Sequence, residues 1–574
     1  MITGFVAVGV GQLIAGIARP QSSPVAAVGS MAIDFTPPPV KNFAISAFGS
    51  HDKLVLVSGV LVILAVFAAV IGALAMRRFG YGLAGLAVFA LIGLVAALTR
   101  PDAELVDALP TLLGAAAGAF ALSRLVRAAE DTPALTGAPR GTEGGIAGPA
   151  PVLDPFVLDP FGAAPTGDED AGNADAGDAD AAADQDETGL ADQPGRDDPA
   201  LPWRSGWGAS SPYKRRPAGP AQPARRSFLV TSSWAVAAGG VSLFAGRVLT
   251  ERSSVTVARS AVHFPAPAHR APRLPAGSDL DIKGLSPFIT PNGSFYRVDT
   301  ALILPEVSPQ SWQLRIHGMV DREISISFAE LLRRPLIEDY VTLTCVSNPV
   351  AGPYIGNALW LGASLAALLR SARVKAGADQ LLCTSVDGFT SGTPIQTIMD
   401  GRDALLAVAM NGSPLPVAHG FPVRMVTPGL YGYVSATKWV TDIKVTTFAA
   451  ESAYWSQRGW SQQAPIKTES RIDVPTTSVK AGRTPVAGVA WAQHKGIDAV
   501  HVRVDSGPWQ QARLAAVPDI DTWRQWVWEW DATPGRHTIE ARATDATGYT
   551  QTALQEPPEP NGASGYPSVT ITVS

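Results

Sequence analysis

Cys345 carries the side chain with the most distinctive chemistry in the sequence. It ends the apolar, strand-like run 339–345 and is followed by the polar residues Ser347 and Asn348. A thiolate at the end of a strand suits a soft metal ion, whereas many buried cysteines are only small hydrophobic residues. Cys383, the only other cysteine, lies in a second apolar run, and we interpret it as a core residue. Two cysteines exclude a disulfide framework and a four-cysteine zinc site, and separate strand-like runs disfavour a single bridge.

The region around Cys345 has the pattern of an α+β domain, with short strands, turns and few helices from about residue 278. Ser327 and Glu330 form a capping box that predicts a short helix through Leu332. Asn411-Gly412 predicts a turn between two strands. The remaining periodic and apolar runs predict strands at 312–318, 324–327, 339–345 and 381–386, and a helix at 361–370.

The first quarter of the chain is strongly apolar and predicts membrane-spanning helices. Leu54 to Met76 is a continuous apolar stretch, long enough to cross about 30 Å of hydrocarbon. Segments 81–98 and 108–126 predict two more spans, and 2–17 predicts a weaker first one. Flanking arginines indicate which ends are cytoplasmic by the positive-inside rule: Arg77, Arg78, Arg124 and Arg127. We therefore predict a four-helix transmembrane region over residues 1–127.

Residues 128–226 predict a disordered, acidic and proline-rich cytoplasmic linker. Between Asp168 and Asp198, twelve acidic residues stand against one arginine. Such a composition cannot bury enough apolar surface to offset the conformational entropy of folding. We interpret this segment as a tether, and a specific acidic binding tail remains the alternative.

Residues 227–249 predict a fifth transmembrane anchor. Arg225-Arg226-Ser227-Phe228-Leu229 precedes it and matches the core of a twin-arginine export signal. Alternatively, the two arginines only mark the cytoplasmic flank of a helix. Both interpretations place the chain after residue 250 on the extracytoplasmic side of the cell membrane.

The composition disfavours several functions. A haem with two histidine ligands needs two facing imidazoles, and His51 is the only histidine before residue 263, so no haem is expected. A transporter would carry charged residues inside its spans, and none lies well inside the predicted ones. Lysine and arginine are not clustered with aromatic residues on a predicted folded face, which disfavours a nucleic-acid partner.

Three segments accompany the run 342–348 (TLTCVSN) in a fixed order. They are 355–362 (IGNALWLG), 410–424 (MNGSPLPVAHGFPVR), and Pro428-Gly429 followed by Lys438-Trp439. The ordered set resembles the molybdopterin-binding domain of the sulfite oxidase family, over about residues 285–574. The resemblance implies a catalytic domain at 275–450 and a molybdenum–molybdopterin cofactor, with Cys345 as the only protein ligand to the metal.

The resemblance also implies the remaining site residues. Arg424 and Lys438 match the cations that hold the anionic pterin phosphate, and arginine can bind it in a bidentate manner. Arg297 matches the arginine that faces an anionic substrate and would stabilise an oxyanion, although it could instead form a surface ion pair. His419 could alternatively cap a turn. The implied neighbours of the cofactor are Asn292, Phe295, Tyr296, Asn348, Asn357, His419 and Ser435.

Two positions depart from the family pattern. Phe389 stands where the family has an active-site tyrosine, and a phenyl ring supplies no hydroxyl. Asp299 stands where a histidine is expected, which weakens the anion-binding character. We therefore predict oxygen-atom transfer without assuming that sulfite is the substrate. No haem domain precedes the catalytic domain, so we expect a separate electron carrier.

Residues 470–574 predict an all-β sandwich. The expected strands are 486–491, 499–505, 526–530, 537–544 and 569–573. The pattern resembles the immunoglobulin-like dimerisation domain of the same family, which implies a homodimer. Five tryptophans are interpreted as core or interface residues, and alternation favours the core: Trp509, Trp523, Trp526, Trp528 and Trp530.

The expected protein is therefore multi-domain, with transmembrane helices, an α+β molybdopterin domain and an immunoglobulin-like sandwich. Its expected function is that of a membrane-anchored, extracytoplasmic molybdenum-pterin oxidoreductase that acts on a small molecule. Three alternatives remain open: a sulfoxide reductase of the same family, a non-catalytic surface binding module, and a transporter formed by the membrane half.

Overall fold

The computed structural model describes residues 1–37, 40, 52–100, 103–130, 223–251 and 254–574. Most of the predicted linker, at 131–222, lies outside these residues, as does His51. One compact unit contains residues 1–132 and 224–574. Both the apolar helices and the sheet-rich part of the chain belong to it.

Apolar helices form the N-terminal part and the segment around residue 240. Their bounds are α1 (Ile2–Ala18), α2 (Pro24–Phe35), α3 (Asp52–Arg77), α4 (Phe79–Leu98), α5 (Leu109–Glu130) and α6 (Pro223–Glu251), and a short α7 (Ser254–Ser260) follows.

Four of the described segments are long and apolar enough to cross a membrane. They are Ser58–Arg77, Phe79–Leu98, Leu105–Ala128 and Phe228–Leu249. The predicted first span is the shorter helix α1, with 17 residues. Helix α2 was not predicted; Pro24 at its start suits the first turn of a helix, where the missing amide hydrogen costs nothing.

Glycines bring α1 and α6 into close contact. A Cβ atom at Gly9 would lie 2.6 Å from the carbonyl oxygen of Gly239, and one at Gly16 would lie 2.6 Å from that of Gly246. No larger residue fits at either crossing, and such small-residue contacts let apolar helices approach closely. The fifth predicted helix therefore packs on the first.

The catalytic region contains ten strands and four short helices. The strands are β1 (Gln313–Gly318), β2 (Ile324–Ser327), β3 (Leu336–Thr344), β4 (Ile355–Ser364), β5 (Gln380–Ser385), β6 (Thr390–Pro394), β7 (Leu405–Met410), β8 (Ser413–Pro414), β9 (Arg424–Val426) and β10 (Val440–Thr446). The helices are α8 (Phe328–Leu332), α9 (Leu365–Ala372), α10 (Ile395–Met399) and α11 (Gly432–Ser435).

Two sheets organise this region. The first has the order β2-β1-β10-β5-β6, with β1 and β10 parallel. The second has the order β3-β4-β7-β8, and β9 pairs with β7. Both faces of the second sheet are covered, because Leu406 and Val408 of β7 join one core cluster while Leu405 and Ala407 join another. Burial on both faces explains why this strand is apolar throughout rather than alternating.

The predicted helix at 361–370 was wrong in its first turn, residues 361–364. Strand β4 continues to Ser364, because its last residues pair with β7 in a register that ends at Ser364 opposite Leu405. Helix α9 begins only at Leu365, where the Ser364 hydroxyl accepts a hydrogen bond from the amide of Ala367. Leucine and alanine favour helix locally, and strand pairing overrides that preference.

Two local predictions are confirmed. The Ser327 hydroxyl accepts from the Glu330 amide, and the Glu330 carboxylate accepts from the Ser327 amide at 2.8 Å, which opens α8. Asn411 and Gly412 have φ values of 52° and 73° and connect β7 to β8. Positive φ at both central residues is typical of the primed turns that match the twist of paired strands.

The C-terminal residues form two four-stranded sheets around one core. The strands are β11 (Glu469–Val474), β12 (Gly482–Trp491), β13 (Ile497–Val504), β14 (Gln510–Gln511), β15 (Arg513–Leu514), β16 (Arg524–Ala532), β17 (Gly535–Asp545) and β18 (Ser568–Val573). The strand orders are β11-β12-β16-β15 and β14-β13-β17-β18. Trp526 and Trp530 lie in the shared core, as predicted, whereas Trp523 is buried in a separate cluster that includes Val346 from the catalytic region.

Candidate active site

Cys345 follows directly after β3, in a tight turn. Its amide donates to the carbonyl of Tyr354 at 3.0 Å, and its carbonyl accepts from the amide of Asn348 at 3.1 Å. The side chain is buried, and burial raises the pKa of the thiol, while hydrogen bonds from Ser347 and the charge of Lys438 act in the opposite direction. The thiolate form therefore needs further positive charge, which a metal ion supplies. Cys383 lies fully buried in the core, as predicted.

The C-terminal module holds the strand that carries Cys345. The Gln493 side chain donates to the Thr342 carbonyl at 3.0 Å and to the Thr344 hydroxyl at 3.1 Å. The Trp523 amide donates to the Thr342 hydroxyl at 2.8 Å. These contacts join residues about 150 positions apart or more, so no local sequence pattern could have predicted them.

Two of the three predicted asparagines, Asn348 and Asn357, differ in what remains available to a ligand. Asn348 accepts from the Tyr354 amide at 2.8 Å, and its buried side-chain nitrogen has no partner among the described residues. Asn357 accepts from the Thr342 hydroxyl at 3.0 Å and donates to the Phe288 carbonyl at 2.9 Å. Asn348 thus offers an unused hydrogen-bond donor near Cys345, whereas the oxygen and the nitrogen of the Asn357 amide both already form hydrogen bonds within the protein. A cofactor contact by either residue stays a prediction.

Arg424 places a buried positive charge on the inner face of β9. Its neighbours Val423 and Met425 enter one core cluster, so the alternation of the strand turns Arg424 to the other face. There the guanidinium lies 5.1 Å from the ring centroid of Trp360 and donates to the carbonyls of His419 and Ala436, each at 3.2 Å.

The charge of Arg424 is available to an anion. Carbonyl groups accept its hydrogen bonds without neutralising it, and among the described residues no carboxylate pairs with it. Burial lowers the pKa of Arg424 to about 10, which still leaves it charged at neutral pH. A buried cation without a counterion is costly unless an anionic ligand compensates it.

Gly420 allows the two predicted cations to approach each other. Its φ is 105°, in the region that favours glycine. A Cβ atom there would lie 3.0 Å from the Cβ atoms of both Arg424 and Lys438. The glycine of the segment 419–422 (HGFP) therefore forms part of the cradle around these residues.

Lys438 is joined to Asp299 and Arg297 in an ionic cluster. The Asp299 carboxylate lies 2.8 Å from the Lys438 ammonium and 2.8 Å from the Arg297 guanidinium. Burial lowers the pKa of Lys438 to about 8, and the charge and hydrogen bond of Asp299 oppose this shift. Arg297 forms the ion pair that was its alternative interpretation, and its side chain is 38% exposed. A substrate-facing role for Arg297 stays a prediction.

Aromatic rings and an imidazole line the side of the site next to Trp360. Phe295 stacks on Tyr296 at 5.3 Å between centroids and meets His419 edge-on at 5.6 Å. His419 Nε2 donates to the Asn292 carbonyl at 3.2 Å, because a carbonyl can only accept. Burial, followed by the charge of Arg424, lowers the pKa of His419 to about 4. The imidazole is therefore neutral at pH 7, with Nδ1 as an acceptor.

Two further predicted site residues, Asn292 and Ser435, have defined surroundings. The Asn292 amide donates to the Met410 carbonyl at 3.2 Å and accepts from Asn411 at 2.8 Å. The Ser435 hydroxyl donates within its own turn, to the carbonyls of Leu430 and Tyr431 at 3.0 Å. Both side chains are thus engaged by the fold, and their contact with a cofactor stays a prediction.

Phe389 lies in the loop between β5 and β6, with its ring 5.8 Å from that of Tyr454. Asp387 of the same loop is buried, and its pKa is raised by burial and further by the charge of Asp299, while Lys438 lowers it. The loop therefore borders the ionic cluster. Sequence reasoning missed Asp387 and Tyr454, since neither belongs to the motifs that carry the resemblance.

The site fits a cofactor that carries both a soft metal and an anionic group. Burial raises the pKa of the Tyr296 hydroxyl; the charge of the Cys345 thiolate raises it further and that of the Arg424 guanidinium lowers it, so these two groups share one site. The unpartnered amide of Asn348 lies in the same turn as Cys345. Thiolates prefer soft metals, and buried guanidinium groups bind phosphate strongly. The donor set matches a metal–pterin phosphate better than a simple hydrated cation.

Comparison with known proteins agrees with this chemistry. Residues 301–455 match the family described as "Oxidoreductase molybdopterin binding domain". The chain is 31% identical over 149 residues to "Uncharacterized oxidoreductase YuiH" of Bacillus subtilis, a match that covers 26% of this chain and 72% of the relative. It is 31% identical over 290 residues to the sulfite oxidase of Gallus gallus, a match that covers 42% of this chain and 62% of that enzyme.

Among solved structures, the sulfane dehydrogenase SoxCD of Paracoccus pantotrophus is similar, with a TM-score of 0.44 and 24% identity. That match covers 50% of this chain and 84% of the solved chain. The chain spans 62% of the Gallus gallus sulfite oxidase and 52% of the Rattus norvegicus enzyme. On its match to the Bacillus subtilis oxidoreductase and to the molybdopterin-binding family, the chain belongs to the sulfite oxidase family of molybdopterin-dependent oxidoreductases.

Proposed function

We propose that this protein is a membrane-anchored molybdenum-pterin oxidoreductase that transfers an oxygen atom to or from a small substrate. The observation that carries the proposal is the buried guanidinium of Arg424, which lacks a carboxylate partner among the described residues and shares the site with the Cys345 thiol. Protein interiors tolerate such a charge when an anionic ligand binds it. The pterin phosphate is the anion that the family implies.

Each site residue has a proposed role. Cys345 holds the metal through its thiolate, Arg424 and Lys438 hold the pterin phosphate, and Asn348 donates a hydrogen bond from its unpaired side-chain nitrogen. Arg297, which is partly exposed beside Asp299, orients the substrate. When bound, the cofactor supplies a metal centre that exchanges two electrons and an oxygen atom. His419 stays neutral and contributes an acceptor at Nδ1 rather than a charge.

The proposed setting is the extracytoplasmic face of the cell membrane. Four described segments are long and apolar enough to span a bilayer, and α6 begins with the arginine pair of the export-like motif. In this proposal α6 links the cytoplasmic linker to the catalytic domain at 275–450. The C-terminal module at 470–574 serves as an immunoglobulin-like dimerisation domain, and a separate carrier exchanges electrons with the metal.

Metal analysis tests the central claim. The protein, purified in detergent from a host that makes the cofactor, should contain about one molybdenum per chain. Cys345→Ser should lose the metal, whereas the matched variant Cys383→Ser, which alters only a core thiol, should retain it. Absence of molybdenum from the unaltered protein, or equal contents in both variants, would overturn the proposal.

The second candidate function is reduction of a sulfoxide. It is favoured by Phe389, because no hydroxyl stands at the position where the family's oxidases have a tyrosine. A panel of sulfite and organic sulfoxides, assayed with dye acceptors and dye donors, distinguishes the two directions. Turnover of sulfite with an acceptor, and none of sulfoxides with a donor, would reject the reductase.

A further inference from the structure

Helix α7 connects the last membrane-length segment, Phe228–Leu249, to the candidate site. Its residue Val255 is 5% exposed and belongs to the core cluster that contains Phe295 and Trp360, two of the rings that line the site. Val255 is the sixth residue after Leu249. Because an extended chain covers at most about 3.6 Å per residue, Val255 lies within roughly 22 Å of the end of that segment. The rings that it contacts are therefore close to the end of the proposed membrane anchor.

Arg259, one turn further along α7, holds the start of the segment that carries the buried cation of the site. Its Nε donates to the Leu415 carbonyl at 2.6 Å, and its Nη2 donates to the Pro414 carbonyl at 2.7 Å. A guanidinium is a planar and rigid fork of donors, so the two hydrogen bonds fix two consecutive carbonyl groups. The turn that contains His419 follows these two residues directly.

That turn is bonded to both proposed phosphate-binding regions. The His419 carbonyl accepts a hydrogen bond from the Arg424 guanidinium at 3.2 Å. The Val417 carbonyl accepts from the indole of Trp439 at 3.1 Å, and Trp439 is the residue after Lys438. A displacement at the start of the turn would therefore reach the surroundings of both cations.

A second contact joins the apolar helices to the ionic cluster. A Cβ atom at Gly29 of α2 would lie 2.8 Å from the side chain of Leu302. Leu302 follows Asp299 by three positions, and the Asp299 carboxylate bridges Lys438 and Arg297. Small residues let an apolar helix approach its neighbour closely. The apolar helices thus contact both segments of the chain that supply charges to the site.

We propose that the membrane-anchored helices position the cofactor site, with Arg259 and Val255 of α7 as positioning residues. Arg259 fixes the segment that leads to Arg424, and Val255 packs in the cluster of the Trp360 ring over which Arg424 lies. The anchor is therefore more than a tether, because its contacts set how firmly the site retains the pterin phosphate. This inference rests on the proposed oxidoreductase function and gives the membrane half a role in it.

Retention of the pterin by the full-length protein in detergent tests the inference. After dilution of the molybdenum-loaded protein, the released pterin is followed by its fluorescence. Arg259→Gln should release pterin about tenfold faster than the unaltered protein, which corresponds to about 1.4 kcal/mol of activation free energy. Arg259→Lys keeps the charge without the planar fork and should restore part of the retention. The matched control is Arg333→Gln, which alters an arginine that is 71% exposed and should leave the rate unchanged.

Two pairs of milder variants separate positioning from a general loss of stability. Val255→Ala should speed the release, whereas Val257→Ala, on the same helix but 69% exposed, should not. Gly29→Leu should also speed it, whereas Gly59→Leu, with no described atom within 4 Å of a Cβ atom there, should not. The melting temperature of the cofactor-free variants is measured in parallel, because a merely structural role would lower it and leave the release rate unchanged.

The outcomes that contradict the inference differ from failure of the proposed function. Unchanged release in Arg259→Gln and Val255→Ala, or an equal increase in Arg333→Gln, would overturn the positioning role of α7. Unchanged release in Gly29→Leu would overturn the part that concerns α2. Failure of the proposed function would appear instead as absence of molybdenum from the unaltered protein.

Discussion

Replacing Asp299 by asparagine removes the counterion of a buried lysine. Asp299 has 4% of its side chain exposed and Lys438 has 11%. Breaking a buried ion pair by deleting one partner costs about 3–5 kcal/mol, because the remaining charge stays buried. Arg297 is 38% exposed, so its lost contact adds little. We expect Asp299→Asn to lower the free energy of unfolding of the cofactor-free protein by about 3 kcal/mol at pH 6.

The pH dependence of this loss has a definite sign. Burial lowers the pKa of Lys438 to about 8, below the unfolded value of 10.5, and Asp299 holds it up. Without Asp299 the folded-state pKa falls further. The penalty of the buried ammonium is fully present at pH values below the folded-state pKa. It is relieved as the pH rises from there toward the unfolded value. The difference in the free energy of unfolding between Asp299→Asn and the unaltered protein should therefore shrink from pH 6 to pH 9.

Urea unfolding at several pH values measures this difference, and pterin content measures its consequence for the site. Because a neutral amine cannot bind phosphate ionically, Asp299→Asn should also lose cofactor at pH 8. The control is Glu323→Gln, which removes an exposed pair in which Arg315 and Glu323 are 55% and 58% exposed. Exposed pairs contribute little. If both variants lose equally little stability at pH 6, the argument about the buried lysine is refuted.

Three other outcomes are expected. Gly239→Leu should lower the melting temperature in detergent, because a Cβ atom at this position would lie only 2.7 Å from the Phe5 ring. The control Gly240→Leu should leave the melting temperature unchanged, because no atom lies within 4 Å of a Cβ atom there. Gly420→Ala should reduce the cofactor content. The control Gly412→Ala also has a positive φ, of 73°, but no neighbour within 4 Å, so it should only lower the stability by about 1 kcal/mol. Equal loss of cofactor in the two variants would contradict this expectation. Burial, followed by the charge of Asp519, raises the pKa of Asp339 from 3.8 to about 8. Between these pH values the folded protein keeps a proton on Asp339 that the unfolded chain releases. The free energy of unfolding therefore falls as the pH rises through this range. Asp339→Asn should flatten that fall in urea unfolding, and an unchanged slope would show that Asp339 does not cause it.

Sequence patterns predicted the elements whose causes are local. The Ser327 capping box and the Asn411-Gly412 turn depend on a few adjacent residues, and both are confirmed. The helix predicted from residue 361 was wrong in its first turn, because the pairing of β4 with β7 comes from residues about 45 positions away. Helix α2 escaped prediction, since a short apolar segment has no distinctive period.

The candidate site shows the same division. The thiol of Cys345 and the cations Arg424 and Lys438 were identified by type and motif, and the structure brings them to one site. Asp299 was seen only as a departure from the family pattern, yet its carboxylate bridges Lys438 and Arg297. That pairing spans 139 positions and has no local signal.

Side-chain chemistry and local periodicity are properties of neighbouring residues, and they were sufficient to identify a candidate thiol ligand, two cations and the apolar helices. Charge state and access depend on what packs around each group. Burial and Asp299 set the pKa of Lys438, and Gln493 from the C-terminal module holds the strand before Cys345. The rings of Phe389 and Tyr454 likewise meet although they belong to separate segments of the chain. Such contacts arise only when the chain folds back on itself, because they bind residues that no short window of sequence contains.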